Sequence, residues 1–321
     1  MGLNRVSVSD GGLEMVVESA HHWFAESMTK DTLLRLIGPL PSRVPLRATV
    51  LETLDCGSYA REKVQYDTEP GDRVPAYLLI PRVRSAPAPV VVCHHQHAAR
   101  FELGKSEVVG LAGDPDQGYG PELARRGYIV FAPDAIAFEE RNWSEDKSGR
   151  AAAFELTTRL VQGRTLLAKV LHDVSVGLDY LETRPDVDAS RIGFLGHSYG
   201  GRMAIWAPAF DHRIRAAVSN CGCVNYRDSL RPDVGIQAEF CVPDIMTYGD
   251  IEDIVRMIEP NSLFISATDD DKWSRGAQAT YDYAKPFFKK GELKLRVWKS
   301  GHVFTAEMRE EAYRFLDAHL T

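Results

Sequence analysis

The segment G-H-S-Y-G-G over residues 196–201 contains the pattern G-x-S-x-G, which is typical of a nucleophilic serine. Residues 191–195 before it predict a short buried strand, and residues 203–207 after it predict a helix. In such a strand–turn–helix setting the serine hydroxyl is lifted above the sheet, because glycines let the strand and the helix approach closely. We therefore expect Ser198 to be a nucleophile, with the backbone N–H of Tyr199 directed at the oxyanion.

A serine of this kind needs a histidine that accepts its proton and a carboxylate that stabilises the imidazolium. In one known chain order the acid and the histidine follow the serine. The run D-D-D at 269–271 follows a predicted strand at 263–267, and His302 follows a predicted strand at 293–298. Serine, acid and histidine thus each come just after a strand, although the residues alone do not say which aspartate is the acid.

A second backbone N–H must reach the oxyanion, and we expect it from the loop after the predicted strand 89–94. The expected donor is the amide of His97 or of Gln96. The spacing of His95 and His97 would also place both rings on one face of a strand, as a metal site requires. No third ligand with a clear spacing accompanies them, so we expect neither a metal nor a cofactor.

The elements that position these groups alternate along the chain after an antiparallel start. This alternation predicts an α/β fold with a mostly parallel central sheet and helices on both faces. Strands are predicted at 46–54, 60–66, 74–80, 89–94, 128–132, 191–195, 214–219, 263–267 and 293–298. Helices are predicted at 121–126, 166–181, 203–207, 275–288 and 306–319.

Two segments fall outside the alternation. Residues 1–45 predict a helical N-terminal extension, with two helix-like stretches between residues 13 and 37 and a cap at Asp31-Thr32 for the second. The catalytic domain is expected to span 46–321. Within it, the irregular segment 221–257 leaves the sheet near the expected nucleophile, which favours a lid-like or substrate-binding segment as much as a plain surface loop.

Side chains for a substrate pocket are sought near the same edge of the sheet. Arg141, which follows the predicted strand 128–132, could hold an anionic or sugar substrate, and a structural pair with Glu140 is the alternative. Arg202 lies in the first turn of the helix after Ser198, where the helix dipole does not favour a cation, so we expect a carboxylate partner for it. The candidates from the segment 221–257 are Tyr226, Phe240, Met246 and Tyr248.

The composition is that of an ordinary globular protein, with 44% hydrophobic and 26% charged residues among 321. A net charge of −7 argues against a nucleic-acid partner, and no apolar run is long enough for a membrane span. No secretory signal is visible in the first thirty residues. The five cysteines are an odd number without a C-x-x-C pair, which favours reduced thiols in a cytoplasmic protein.

From about residue 47 onward the chain resembles the dienelactone hydrolase and acetyl-xylan-esterase-like group of α/β hydrolases. The residues that carry the resemblance, besides the G-x-S-x-G segment, are His95-Gln96, Gly104-Lys105-x-Glu107-x-x-Gly110, Glu122 to Tyr128, Pro133-Asp134 and Gly301-His302. The resemblance implies an α/β-hydrolase fold and a serine esterase activity that needs no cofactor. It places the acid at Asp270, with Asp269 and Asp271 still open, and an oxyanion amide at His97.

We therefore expect a serine hydrolase that cleaves a carboxylic ester through an acyl-enzyme on Ser198, with His302 and Asp270 completing the triad. Tyr199 after the serine also resembles prolyl-oligopeptidase-like peptidases, but the chain has no propeller-sized domain. A ligand-binding protein that kept the same fold without catalysis is the second alternative. The expected partner is a small-molecule ester, and the chain could form a homo-oligomer.

Overall fold

A computed structural model of the chain describes residues 28–84 and 87–321. The strands are β1 (Thr49–Asp55), β2 (Tyr59–Glu69), β3 (Asp72–Pro81), β4 (Ala88–His94), β5 (Ile129–Pro133), β6 (Val187–His197), β7 (Ile214–Asn220), β8 (Ser262–Thr268) and β9 (Leu293–Trp298). The α-helices are α1 (Lys30–Ile37), α2 (Lys105–Val108), α3 (Gly120–Arg125), α4 (Arg150–Val161), α5 (Leu166–Glu182), α6 (Tyr199–Phe210), α7 (Tyr226–Ser229), α8 (Ile245–Tyr248), α9 (Ile251–Arg256), α10 (Ala277–Ala284) and α11 (Ala306–Leu320).

The strands form one sheet in the order β1-β2-β3-β5-β4-β6-β7-β8-β9. The first three strands form an antiparallel meander, and β3 pairs antiparallel with β5. From β5 to β9 every pairing is parallel. The carboxyl ends of these six strands therefore lie along one edge of the sheet, where ligands bind in folds of this kind.

Alternating apolar residues bury both faces of the sheet. Val90 and Val92 of β4 face a core that includes α1, α5, α6, α9 and α10. Val91 and Cys93 face a second core, which α3 and α11 cover. Because successive side chains of a strand point to opposite faces, a continuous apolar strand requires helices on both sides. The predicted α/β-hydrolase architecture is confirmed.

Each of the nine predicted strands overlaps an observed one, and the differences lie at the ends. The strand before the serine extends to His197, and β8 extends to Thr268, one residue beyond the prediction. Helix α4 was not predicted. It buries only Ala151 and Ala152 among its twelve residues, so it carries no apolar stripe from which its period could be recognised.

The N-terminal prediction can be compared only in its second half, since residues 1–27 lie outside the described part of the chain. Helix α1 forms where a helix was expected, but its cap is Thr29, whose hydroxyl accepts a hydrogen bond from the Thr32 N–H at 3.1 Å. Leu33 and Ile37 join the core against the sheet. The boundary between this extension and the catalytic domain stays a prediction.

The segment 221–257 contains three short helices, α7, α8 and α9, joined by irregular turns. Ile251, Ile254 and Val255 of α9 belong to the core with α6 and α10. The segment is thus anchored at its end and irregular in its middle. No helix within residues 28–84 and 87–321 combines the length and apolarity needed to cross a membrane.

Candidate active site

Ser198 occupies a strained turn between β6 and α6. Its φ of 57° and ψ of −114° lie in a region that residues with side chains seldom adopt. A Cβ on Gly196 would lie 2.3 Å from the carbonyl carbon of Gly200, and one on Gly200 would lie 2.1 Å from the His94 oxygen. Both glycines are therefore required, and the turn has the geometry of a nucleophile elbow.

His302 is paired with Asp271. Its Nδ1 lies 3.0 Å from Oδ1 of Asp271, whose side chain is 1% exposed. The carboxylate also accepts hydrogen bonds from the Trp273 N–H at 3.0 Å and from the Ser274 hydroxyl at 2.8 Å. Burial would raise the pKa of Asp271, but these hydrogen bonds and the proximity of His302 lower it below its usual value. The carboxylate is held ionised against the imidazole.

The expectation that Asp270 pairs with His302 is corrected by this contact. The expected register assumed that the strand ends at Ala267, but β8 continues through Thr268 and shifts the inward-facing carboxylate by one residue. Asp269 accepts a hydrogen bond from the Ser300 N–H at 3.0 Å, and it holds the turn before His302. Asp270 is exposed to solvent.

Asn220, which the sequence analysis missed, connects the turn that carries His302 to the elbow. The ring of His197, next to Ser198, lies 4.5 Å from the ring of His302. The side-chain amide of Asn220, at the end of β7, donates to Nδ1 of His197 at 2.8 Å and to the Val303 carbonyl at 2.9 Å. A polar residue directly after an apolar strand was the available signal, since such residues gather at the edge where ligands bind.

The expected oxyanion loop packs over the start of α6. The ring of His97 makes edge contacts with Phe101, Phe138 and Tyr199, at centroid distances of 4.8, 5.2 and 6.3 Å. The side-chain amide of Gln96 donates to Glu107 at 3.2 Å, which anchors the loop on α2. These contacts bring the loop beside Tyr199, whereas the choice between the amides of His97 and Gln96 stays a prediction.

His95 and His97 make hydrogen bonds to backbone groups. Nδ1 of His95 lies 2.8 Å from the Gln96 carbonyl, and its Nε2 accepts a hydrogen bond from the Ala135 N–H at 3.2 Å. Nδ1 of His97 accepts from the Ala99 N–H at 2.9 Å. Burial lowers the pKa of both rings to about 4, so they are neutral near pH 7. Both histidines shape the loop through the backbone.

The proposed substrate side chains divide into two groups. Tyr226 and Phe240 line a narrow cavity beside the elbow helix, together with Arg202 and Trp206. The ring of Phe240 lies 5.7 Å from the ring of Tyr199, so it reaches the elbow itself. In contrast, Met246 is 36% exposed and Tyr248 lies under the guanidinium of Arg35, and neither lines this cavity.

Arg202 does not have the carboxylate partner that was expected. Within the described residues no carboxylate oxygen lies within salt-bridge distance of it, and the fully buried Glu239 acts on it only through space. Its guanidinium stands over the rings of Phe240 and Trp273, at 4.9 and 5.0 Å, and donates to the Ser229 hydroxyl at 3.1 Å. Burial lowers the pKa of Arg202 to about 10, so it stays charged near neutral pH.

Arg141 serves the fold and not a substrate, which corrects the expectation that it binds one. Its side chain is 4% exposed and pairs with Asp72 at 2.6 Å and Asp173 at 2.9 Å. Glu140, the alternative partner, instead pairs with Lys63 and Lys105. A guanidinium that is 4% exposed and paired with two carboxylates offers little surface to a ligand.

Comparison with known proteins assigns the chain to a family. Residues 74–313 match the model of the Dienelactone hydrolase family. The chain belongs to this family. It is 28% identical over 308 residues to the protein YtaP of Bacillus subtilis (strain 168), named as a hydrolase, which covers 91% of this chain and 98% of YtaP. Membership of this family makes the chain a hydrolase. The carbohydrate esterase MZ0003 of an unknown prokaryotic organism is 29% identical over 134 residues, which cover 34% of this chain and 31% of that esterase.

Solved structures show the same fold at low sequence identity. An acetyl xylan esterase from Paenibacillus sp. R4 aligns with a TM-score of 0.61 and 18% identity, over 91% of this chain and all of the esterase (100%). A glucuronoyl esterase from Solibacter usitatus aligns with a TM-score of 0.62 and 18% identity, over 88% and 89% of the two chains. At this identity the likeness establishes the α/β-hydrolase fold alone.

Proposed function

We propose that this member of the family hydrolyses small carboxylic esters through an acyl-enzyme on Ser198. The observation that carries the proposal is the strained Ser198 at the end of β6, with the His302–Asp271 pair beside the neighbouring ring of His197. A non-glycine residue in this conformation costs on the order of 1–3 kcal/mol and persists where the strain serves a function. Activation of a hydroxyl is such a function.

The hydrogen bond between His302 and Asp271 determines the direction of proton transfer. In the neutral imidazole whose Nδ1 donates to Asp271, Nε2 carries no proton and can accept one from Ser198. The Ser198 oxygen then bonds to the ester carbonyl carbon, and the imidazolium returns the proton to the leaving alcohol. Water, deprotonated by the same nitrogen, releases the acid in the second half of the reaction.

The tetrahedral oxyanion is stabilised by the backbone N–H of Tyr199 and by an N–H of the loop at His97 or Gln96. Tyr199 is the first residue of the twelve-residue helix α6, whose positive end points at the same place. Arg202 adds a positive charge near this loop. Its guanidinium is close enough to help lower the pKa of His97. This environment favours negative charge near Ser198 without a metal or a cofactor.

Labelling with a fluorophosphonate tests the nucleophile directly. We expect stoichiometric modification of Ser198, located by peptide mass spectrometry, and hydrolysis of nitrophenyl esters but not of aminoacyl anilides. Faster cleavage of the anilides would favour the peptidase alternative. A folded protein that takes up no phosphonate would instead support a non-catalytic binding protein.

The cavity beside α6, of about 10 Å³, has room for about one water molecule. We therefore propose Phe240, whose ring reaches the elbow, as the side chain that limits the length of the acyl group. Truncation of Phe240 to alanine should change the ratio of kcat/KM between short and long acyl esters by about 1–3 kcal/mol, which is the value of small changes in an apolar pocket. Met246→Ala is the matched control from the same segment, since Met246 lies outside the cavity. Equal changes for every ester in Phe240→Ala would show that the ring only supports the fold.

A further inference from the structure

A cysteine that the proposed mechanism does not use lies beside the catalytic pair. Cys221 follows β7 with a φ of 48°, and its N–H donates to the Ser266 carbonyl at 2.9 Å. Its sulfur contacts the Thr268 hydroxyl at 3.5 Å and the Val303 carbonyl at 3.6 Å. The thiol is thus fixed between the end of β8 and the turn that carries His302.

Three different ligand types meet at this position. One atom each of Cys221, Asp271 and His302 lie within 4.8 Å of one another. Sulfur, imidazole nitrogen and carboxylate oxygen are the donors that zinc prefers, with bonds of about 2.0–2.3 Å. In a tetrahedron with such bonds the ligand atoms lie about 3.5 Å apart, so side-chain shifts on the order of 1 Å would let all three groups bind one ion.

The only other such group within residues 28–84 and 87–321 already holds a cation. Asp134, Glu139 and Glu140 surround the buried ammonium of Lys105, at 2.7, 2.6 and 2.5 Å. No lysine or arginine is paired with the group at Cys221 in this part of the chain. Access is available from the side of His302, which is 32% exposed and lines an open depression of about 450 Å³. The carboxylates of Asp233, Asp269 and Asp270 and the cations Lys272 and Arg275 line the same depression, so a small excess of negative charge faces the opening.

We propose that Cys221, Asp271 and His302 form an inhibitory site for zinc and similar thiophilic divalent cations. Binding releases the thiol proton to water and forms bonds from the metal to sulfur, to Nδ1 of His302 and to a carboxylate oxygen. The imidazole proton then resides on Nε2, so the ring cannot accept a proton from Ser198. Hydrolysis stops while the fold and the serine are unchanged. The inhibition rests on the role proposed for His302, whereas metal binding does not.

Ester hydrolysis is measured against buffered free zinc for the full chain and two cysteine variants. Zinc should inhibit the unmodified protein, EDTA should restore its activity, and magnesium should have no effect because it prefers oxygen ligands. Each variant is compared with its own metal-free rate. Cys221→Ser should require at least about tenfold more zinc for half-inhibition, the lower end of what loss of a metal-site group costs. Cys223→Ser, also buried but outside the group, should behave like the unmodified protein.

A binding measurement separates this proposal from the proposed function. Equilibrium dialysis of Ser198→Ala should give one zinc per chain, and cobalt(II) in the same protein should show thiolate-to-metal charge-transfer absorption. If Cys221→Ser does not fold, the cobalt spectrum of the Ser198→Ala protein decides. The proposal is wrong if cobalt binds without a thiolate band, if no saturable zinc binding occurs, or if Cys221→Ser is inhibited at the same zinc concentration as the unmodified protein.

Discussion

Replacement of Ser198 by alanine is expected to abolish ester hydrolysis and to leave the fold intact. The hydroxyl is the only covalent nucleophile of the proposed mechanism, and loss of a triad serine costs on the order of 10⁶ in kcat. Alanine keeps the Cβ, so the strained φ of 57° is no worse than with serine. The measurement is kcat for a nitrophenyl ester, together with a circular dichroism spectrum.

Ser219→Ala provides the matched control for this change. Ser219 lies opposite Gly196 in the neighbouring strand β7, and its buried hydroxyl has no hydrogen-bond partner among the described residues. Its removal leaves no partner unsatisfied, so activity should change by less than about threefold. Retention of more than about a tenth of the activity in Ser198→Ala would contradict the assignment, since the expected loss is far larger.

The order of strands and helices could be predicted because burial determines it. A strand covered on both faces, such as Pro89–His94, must be apolar throughout, and a helix against a sheet must repeat its apolar residues with the helical period. Helix α4 lacks such a stripe and was missed. The same reasoning cannot locate the last residue of β8, because Thr268 is compatible with either a strand or a turn.

The candidate site divides in the same way. Ser198 and His302 each come after a predicted strand and have glycines in the adjacent turn, so the sequence alone predicts their positions. The polar contacts of Arg202 and Cys221 arise between segments far apart in the sequence, and no local pattern predicts them. Asn220 carried one signal, its position directly after an apolar strand, but its partners on His197 and Val303 are equally distant in the sequence. Arg202 illustrates this difference. The helix dipole does not stabilise a cation in the first turn, as expected, but the cation is surrounded by aromatic rings and not by the expected carboxylate.

Among the three adjacent aspartates, substitution by asparagine should be most damaging at Asp271. Without the charge, His302 loses the partner that stabilises its imidazolium and fixes its tautomer, a loss on the order of 10⁴ in kcat in a comparable triad. Asparagine retains an oxygen that can accept from Trp273, so the turn should persist, and a thermal melt checks this.

Asp270→Asn, at an exposed side chain, is the matched control and should stay within about threefold of the unmodified rate. Asp269→Asn should have an intermediate effect through the turn at Ser300. If Asp270→Asn is instead the most damaging, the contact between Asp271 and His302 is structural and the acid lies where the family pattern places it.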